Sequence, residues 1–183
     1  MTRTQHLLPF DRLSPADFER LCLWLVRRDG YEQVEHVGLS GMDKGCDLVA
    51  RRNGRQIGFQ CKRSSRFGPA AAEAAVVKAL SSTWDLDEIV LLVACPVSAK
   101  ARERARARAG SVPCRIWGLS ELDERVNRYP ELLSYFFEAE TLLAYSALRE
   151  MLTERVATIT TVSLLLACHL ANLQTSPIKK SPC

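Results

Sequence analysis

The sequence predicts an α/β domain, a mixed central sheet flanked by helices, with a helical extension behind it. Three observations carry that prediction. Asn53-Gly54 is a two-residue turn signal, because both turn positions need positive φ, and apolar and polar residues alternate on either side of it. Ile89-Val90-Leu91-Leu92-Val93 is a continuous apolar run, the mark of a strand covered on both faces. Segments of helical period alternate with these strands, which calls for helices packed on a sheet.

Each element has its own signal. Ser14-Pro15-x-Asp17 opens a first helix with a capping Ser, Pro in the first turn and an acid at the positive dipole end. Phe18, Leu21, Cys22, Leu25 and Val26 form its apolar stripe, and Gly30 ends it. Gln33 to Val37 reads as a strand, Gly38 to Gly45 as a loop, and Cys46 to Lys62 as the hairpin. After a loop at Ser64 to Pro69, an Ala-rich helix runs from Pro69 to about Leu80. A strand follows over Glu88 to Cys95, then a basic helix from Ser98 to about Ala109. Val112 to Trp117 is a further strand, and Ser120 caps a helix through about Val126. The order is αβββαβαβα.

Counting back from the turn, Arg52 faces Arg55, Ala50 faces Ile57 and Leu48 faces Phe59. Asp47 then stands opposite Gln60 as a non-hydrogen-bonded pair, and Lys62 shares their face. Cys46 and Cys61 pair on the other face, with Leu48, Ala50, Ile57 and Phe59, as buried core thiols. Two oxygen ligands suit a hard cation such as Mg²⁺. A lysine beside them can orient a nucleophilic water or offset phosphate charge. The plainer alternative is a cross-strand ion-pair neighbourhood on a solvated sheet face.

Asp47, one hairpin turn, then Gln60-Cys61-Lys62 resembles the PD-(D/E)XK nuclease signature in its Gln variant. Gly41-Met42-Asp43-Lys44-Gly45-Cys46-Asp47 is similar to the glycine-and-aspartate loop before the catalytic Asp in Mrr-type restriction endonucleases. The upstream helix carrying Glu19 also matches, so the resemblance covers roughly residues 12 to 120. Two departures stand out: Gln60 replaces the commoner acid, and Cys46 stands where the family name has proline. The resemblance implies a restriction-endonuclease-like αβββαβ core. It also implies Asp47 as a metal ligand, with the Gln60 side-chain oxygen and the Cys61 backbone carbonyl beside it. Lys62 becomes the catalytic lysine, and Glu19 completes or orients the metal shell. Asp43 is either a turn residue or a holder of the loop or an outer water.

Composition narrows the rest. The chain has 183 residues, 47% hydrophobic and 25% charged, with a formal net charge of +4. That balance is ordinary for a globular protein and permits a polyanion without demanding one. The seven cysteines include no C-x-x-C, which excludes a zinc framework and points to a reducing cytoplasm. Met1 to Pro9 lacks the apolar core of a signal peptide. His6, His36 and His169 are isolated in sequence and suggest no metal spacing. Lys62, Arg63 and Arg66 form a basic cluster beside the candidate site, and Arg63 and Arg66 are assigned to the nucleic-acid backbone. Arg102, Arg104, Arg106 and Arg108 form two stripes on one helix, where a solvated face is the default. Phosphate contact by Arg102 and Arg106 is the alternative.

The domain boundaries fall at residues 1–128 for the nuclease-like domain, 129–174 for the extension and 175–183 for a disordered tail. Leu133, Phe136, Phe137, Leu142, Leu143, Leu148 and Leu152 exceed what a free surface helix carries. Val156 to Leu173 is apolar but broken by Thr158, Thr160, Thr161, His169 and Asn172, which favours burial or an oligomer contact over membrane insertion. The expectation is a homodimer or higher oligomer, or docking to a partner through these helices. The function expected is a Mg²⁺-dependent phosphodiesterase on nucleic acid, a DNA endonuclease in restriction or antiviral defence, with Mn²⁺ able to substitute. The alternatives are a catalytically weak or dead binding module and a repair or junction-resolving nuclease.

Overall fold

The computed structural model describes residues 7–37 and 45–137. A short 3₁₀ turn, Phe10–Arg12, leads into α1 (Pro15–Arg28), where the Ser14 side chain accepts the Asp17 N–H. Then come β1 (Glu32–His36), β2 (Leu48–Arg52), β3 (Arg55–Lys62), α2 (Pro69–Leu80), β4 (Glu88–Val93), α3 (Ala99–Ala109), β5 (Cys114–Trp117) and α4 (Leu119–Val126). The sheet order is β1-β2-β3-β4-β5. The first three strands are antiparallel, and β3, β4 and β5 run parallel. This is the expected mixed α/β sheet flanked by helices.

The hairpin register is the expected one: Arg52 faces Arg55, Ala50 faces Ile57 and Leu48 faces Phe59. Asn53 and Gly54 both have positive φ, 53° and 76°, as the tight turn requires. One expectation is corrected at the other end of this hairpin. The Asp47 N–H donates to the Phe59 carbonyl at 2.9 Å, although Phe59 is the residue that Leu48 faces. Two residues of one strand therefore oppose one of the other, which is a β-bulge. The bulge reverses the alternation before it. Cys46 does not face Cys61 across the core; it packs with α2 and α3, whereas Cys61 packs with α1.

Both faces of the sheet are covered. On one face Leu48, Ala50, Ile57, Phe59 and Cys61 pack against Phe18, Leu21, Cys22 and Leu25 of α1 and Leu122 and Val126 of α4. On the other, Val49, Ile89, Leu91 and Val93 meet Ala72, Ala75, Val76 and Ala79 of α2 and Ala101, Ala105 and Ala109 of α3. The alanines recur every three or four positions, so two helices lie close on that face. The strand face that carries Gln60 is thus covered by helices, and the Asp47 end is not an open solvated edge.

Helix α4 begins two residues earlier than Ser120 capping predicts. Gly118 is the capping position, and its N–H donates to the Glu121 side chain at 3.1 Å. The Arg125 guanidinium lies 3.9 Å from the centroid of the Trp117 ring, closing the end of this core. Residues 130–137 are helical, and Leu132 and Phe137 are buried with Phe10 in the α1-side core. The remainder of the expected extension, the expected tail and Val156 to Leu173 lie outside the described residues. Among the described residues, no helix is long and apolar enough to cross a membrane.

Leu132 is fully buried, at 0% exposure, so truncating it opens a cavity under α1. Leu132→Ala is expected to lower unfolding stability by about 2–5 kcal/mol. Urea denaturation followed by circular dichroism measures this, and an unchanged midpoint would place the helix outside the cooperative core.

Candidate active site

The bulge creates the central contact. A regular antiparallel ladder would have given the Cys61 N–H a backbone carbonyl on β2. Instead it donates to Asp47 Oδ2 at 2.7 Å. Asp47 is held in place by its own backbone too, since its carbonyl accepts the Val37 N–H at 3.0 Å. The carboxylate is 9% exposed. It is anchored between β1 and β3 at the carboxyl end of β3.

Gln60 is 0% exposed and lies beside Leu91 in the parallel ladder. Its Nε2 donates to the Gly45 carbonyl, tying β3 to the backbone two residues before Asp47. Its Oε1 is buried and has no hydrogen-bond partner among the described residues. Gly45 itself needs to be glycine. Its φ is +84°, and a Cβ there would sit 2.6 Å from the Lys78 carbonyl oxygen.

Lys62 ends β3, with its backbone carbonyl accepting the Ala94 N–H at 3.0 Å. Lys62 and Glu19 are among the residues lining one cleft of about 230 Å³, with Phe18, Cys61, Arg63 and Ser64. Cys61 is the common neighbour. The Cys22 thiol, hydrogen-bonded to it, raises the Cys61 thiol pKa most; burial and the negative charges of Asp47 and Glu19 raise it further. Both carboxylates thus lie within electrostatic reach of one buried sulfur. Glu19 and Lys62 thus share a cleft with Cys61, Asp47 is bonded to the Cys61 N–H, and the buried Gln60 reaches Gly45.

The other predicted residues fall as follows. The Arg63 guanidinium donates to the Asp11 carbonyl at 2.8 Å, and Arg66 is exposed in the same loop. Arg102 is turned inward, bonding the Ile116 carbonyl at 2.7 Å and Glu121 at 2.5 Å. Arg106 is exposed. Asp43 lies outside the described residues. A larger cleft of about 460 Å³ runs between α2 and α3, past the Arg104–Glu73 ion pair, away from these groups.

A family model described as restriction endonuclease, Mrr_cat, matches residues 10–125, well over half of the chain. The chain belongs to the restriction endonuclease family. Comparison with curated proteins finds no match, and comparison with solved structures finds none either.

Nucleases of this family's fold generally use divalent metals, so the donor set can be tested against one. Asp47, Glu19 and the unbonded Gln60 Oε1 are hard oxygen donors at one end of β3, which fits a hard cation. No group of three or more His, Cys, Asp or Glu side chains forms a metal cluster among the described residues.

One neighbour was missed by sequence reasoning. His36 Nε2 lies 3.4 Å from Glu19 Oε2. Nothing in the spacing of the three histidines signals this, because the contact is between strand and helix. Only the pairing of β1 with β2 could have revealed it.

Cys46 and Cys61 remain free thiols. Burial pushes the Cys46 thiol up to about 11, outweighing a hydrogen bond from Ser82. A raised thiol pKa keeps the group protonated in the folded state, so neither thiol is a nucleophile near neutral pH. Iodoacetamide at pH 8 is expected to leave both residues unmodified in folded protein and to alkylate them after unfolding, as read by peptide mass mapping. Because Cys46 ionises near 9 when unfolded and near 11 when folded, its contribution to stability is intact below pH 9 and lost as pH rises toward 11.

Proposed function

We propose that this chain is a divalent-metal-dependent phosphodiesterase that cuts DNA as an endonuclease, with Mg²⁺ as the metal and Mn²⁺ able to replace it. The observation that carries this reading is the Asp47 carboxylate anchored on the Cys61 N–H, next to the cleft lined by Glu19, Cys61 and Lys62, in a chain of the restriction endonuclease family. Asp47, Gln60 Oε1, the Cys61 carbonyl and Glu19 would hold the cation. When bound, it neutralises charge at the phosphate oxygens and activates water.

The chain's own residues do the positioning. Asp47 is pre-ordered by the Cys61 N–H, so its carboxylate needs no reorganisation. Lys62 stands at the mouth of the cleft, where its ammonium offsets phosphate charge and orients the attacking water. Arg63 and Arg66 lie just beyond and meet the neighbouring phosphates. The biological role proposed with it is restriction of foreign DNA or another antiviral defence in the cytoplasm, which the family match makes a natural setting. A homodimer suits it, because two-fold symmetry places two sites on antiparallel strands.

A second reading, a binding module with a weak or dead site, has one observation in its favour. The Gln60 amide is already engaged with Gly45, and the site has one carboxylate fewer than the commoner motif. Cleavage assays on plasmid, linear duplex, branched DNA and RNA, with and without chelator, separate these readings and the repair-nuclease alternative. Lys62→Ala is expected to fold normally and lose about 10²-fold or more in rate. Asp47→Asn is expected to remove the metal response. Full activity of either variant, or of the wild type in chelator, sinks the mechanism.

Gln60→Glu tests the ligand role separately. The new carboxylate faces the Gly45 carbonyl in place of an amide donor, so metal-free protein is expected to melt lower than wild type. Mg²⁺ is expected to raise its melting temperature by more than it raises that of the wild type. An equal or smaller Mg²⁺ shift would argue against Gln60 as a ligand.

A further inference from the structure

We infer that His36 is a positioning residue for Glu19, holding its carboxylate at the edge of the metal site. This rests on the proposed function above. The argument begins with strand parity. Glu32 pairs with Arg51, whereas Glu35 pairs with Val49 and His36 with Leu48, so β1 slips register between Glu32 and Glu35. Gln33 has a positive φ of 49° in this slip. Counting by twos from Glu32 would put His36 on the α2 face. The slip moves it to the face of Leu48, under α1.

There the imidazole meets Glu19. Nε2 lies 3.4 Å from Glu19 Oε2, with side-chain exposures of 14% and 34%. The contact is within ion-pair range but lacks hydrogen-bond geometry, and among the described residues the buried Nε2 has no hydrogen-bond partner. A buried, unbonded imidazole nitrogen is costly, and among the described residues the acidic oxygen within ion-pair reach belongs to a proposed metal-site residue. A shift of a few tenths of an ångström closes the bond.

The strand that carries His36 is itself pinned to the site. The next residue, Val37, donates its N–H to the Asp47 carbonyl at 3.0 Å. His36 therefore links Glu19 on α1 to the backbone that holds Asp47. With Oε2 engaged by His36, Glu19 loses its rotamer freedom and presents its other oxygen. Partners of this kind tune metal affinity through the ligand they orient.

The test is Mn²⁺ binding to the full chain without nucleic acid, read from the electron paramagnetic resonance signal of free Mn²⁺. His36→Ala is expected to weaken binding about 10-fold or more. Glu19→Gln is expected to do the same, and the double variant to bind no more weakly than Glu19→Gln alone, because one tether is removed either way. His36→Gln keeps an N–H donor at similar reach and is expected to bind close to wild type. Wild-type binding by His36→Ala, additive losses in the double variant, or a His36→Gln as weak as His36→Ala would each overturn the inference. If His36→Ala fails to fold, His36→Phe fills the same space without a donor and takes its place. Asp47→Asn separates the inference from the reading beneath it. Binding lost in Asp47→Asn but intact in His36→Ala defeats the inference alone, whereas binding indifferent to both defeats the metal site itself.

Discussion

The hydrogen bond from the Cys61 N–H to the Asp47 carboxylate is the contact around which the candidate site is organised. It exists because the hairpin breaks register at Asp47. A buried backbone N–H must find a partner, and leaving one unmade costs about 1–3 kcal/mol. The bulge removes the backbone partner, and the acidic side chain replaces it. The same displacement sends Cys46 to the α2 side and leaves Cys61 on the α1 side. A carboxylate is thereby built into the sheet's hydrogen-bond ladder rather than hung from a surface loop. That is a rigid way to hold an acid on the residue that precedes Lys62.

Strand β3 is the shared wall of two unlike layers. Its odd-numbered residues meet the large side chains of α1 and α4, including Phe18 and Leu25. Its even-numbered residues face the alanines of α2 and α3, where Gly58 has space for no Cβ: one would lie 2.6 Å from Leu86 and 2.7 Å from the Cys46 sulfur. The α1 layer delivers Glu19 to the site, and the α2 layer buries Gln60. The ends of β3 and β4 are locked together by the Lys62 carbonyl and the Ala94 N–H. Glu19 and Asp47 act on Cys61, and Gln60 reaches Gly45, because β3 is common to both layers.

The arginines of α3 show how a charge pattern divides once packed. Arg102 turns toward the Ile116 carbonyl and Glu121, Arg104 pairs with Glu73 on α2 at 2.7 Å, and Arg106 stays exposed. The stripe that looks uniform on a helical wheel serves α4, α2 and solvent in turn. Arg63 is similar: it lies in the loop beside the site, yet its guanidinium also ties that loop to the 3₁₀ turn through Asp11.

Local chemistry made most of the fold readable in advance. The Asn53-Gly54 turn set the pairing of Leu48 with Phe59, the Ser14 cap set the start of α1, and the apolar run over residues 89–93 set a central strand. These are short-range preferences, decided by φ, capping and period. The candidate residues were readable for the same reason, since Asp47, Gln60 and Lys62 are separated by a single tight hairpin. The bulge was not readable, because it depends on which backbone groups find partners among β1, β3 and the residues before Asp47. The reversal of Cys46, the covering of the Gln60 face by α2, and the capping of α4 at Gly118 all followed from packing between elements distant in sequence. His36 beside Glu19 is the plainest case. Seventeen positions separate the two in sequence. Their contact required the register slip in β1, the pairing of β1 with β2 and the docking of α1 on the sheet, and no periodicity within either segment encodes all three.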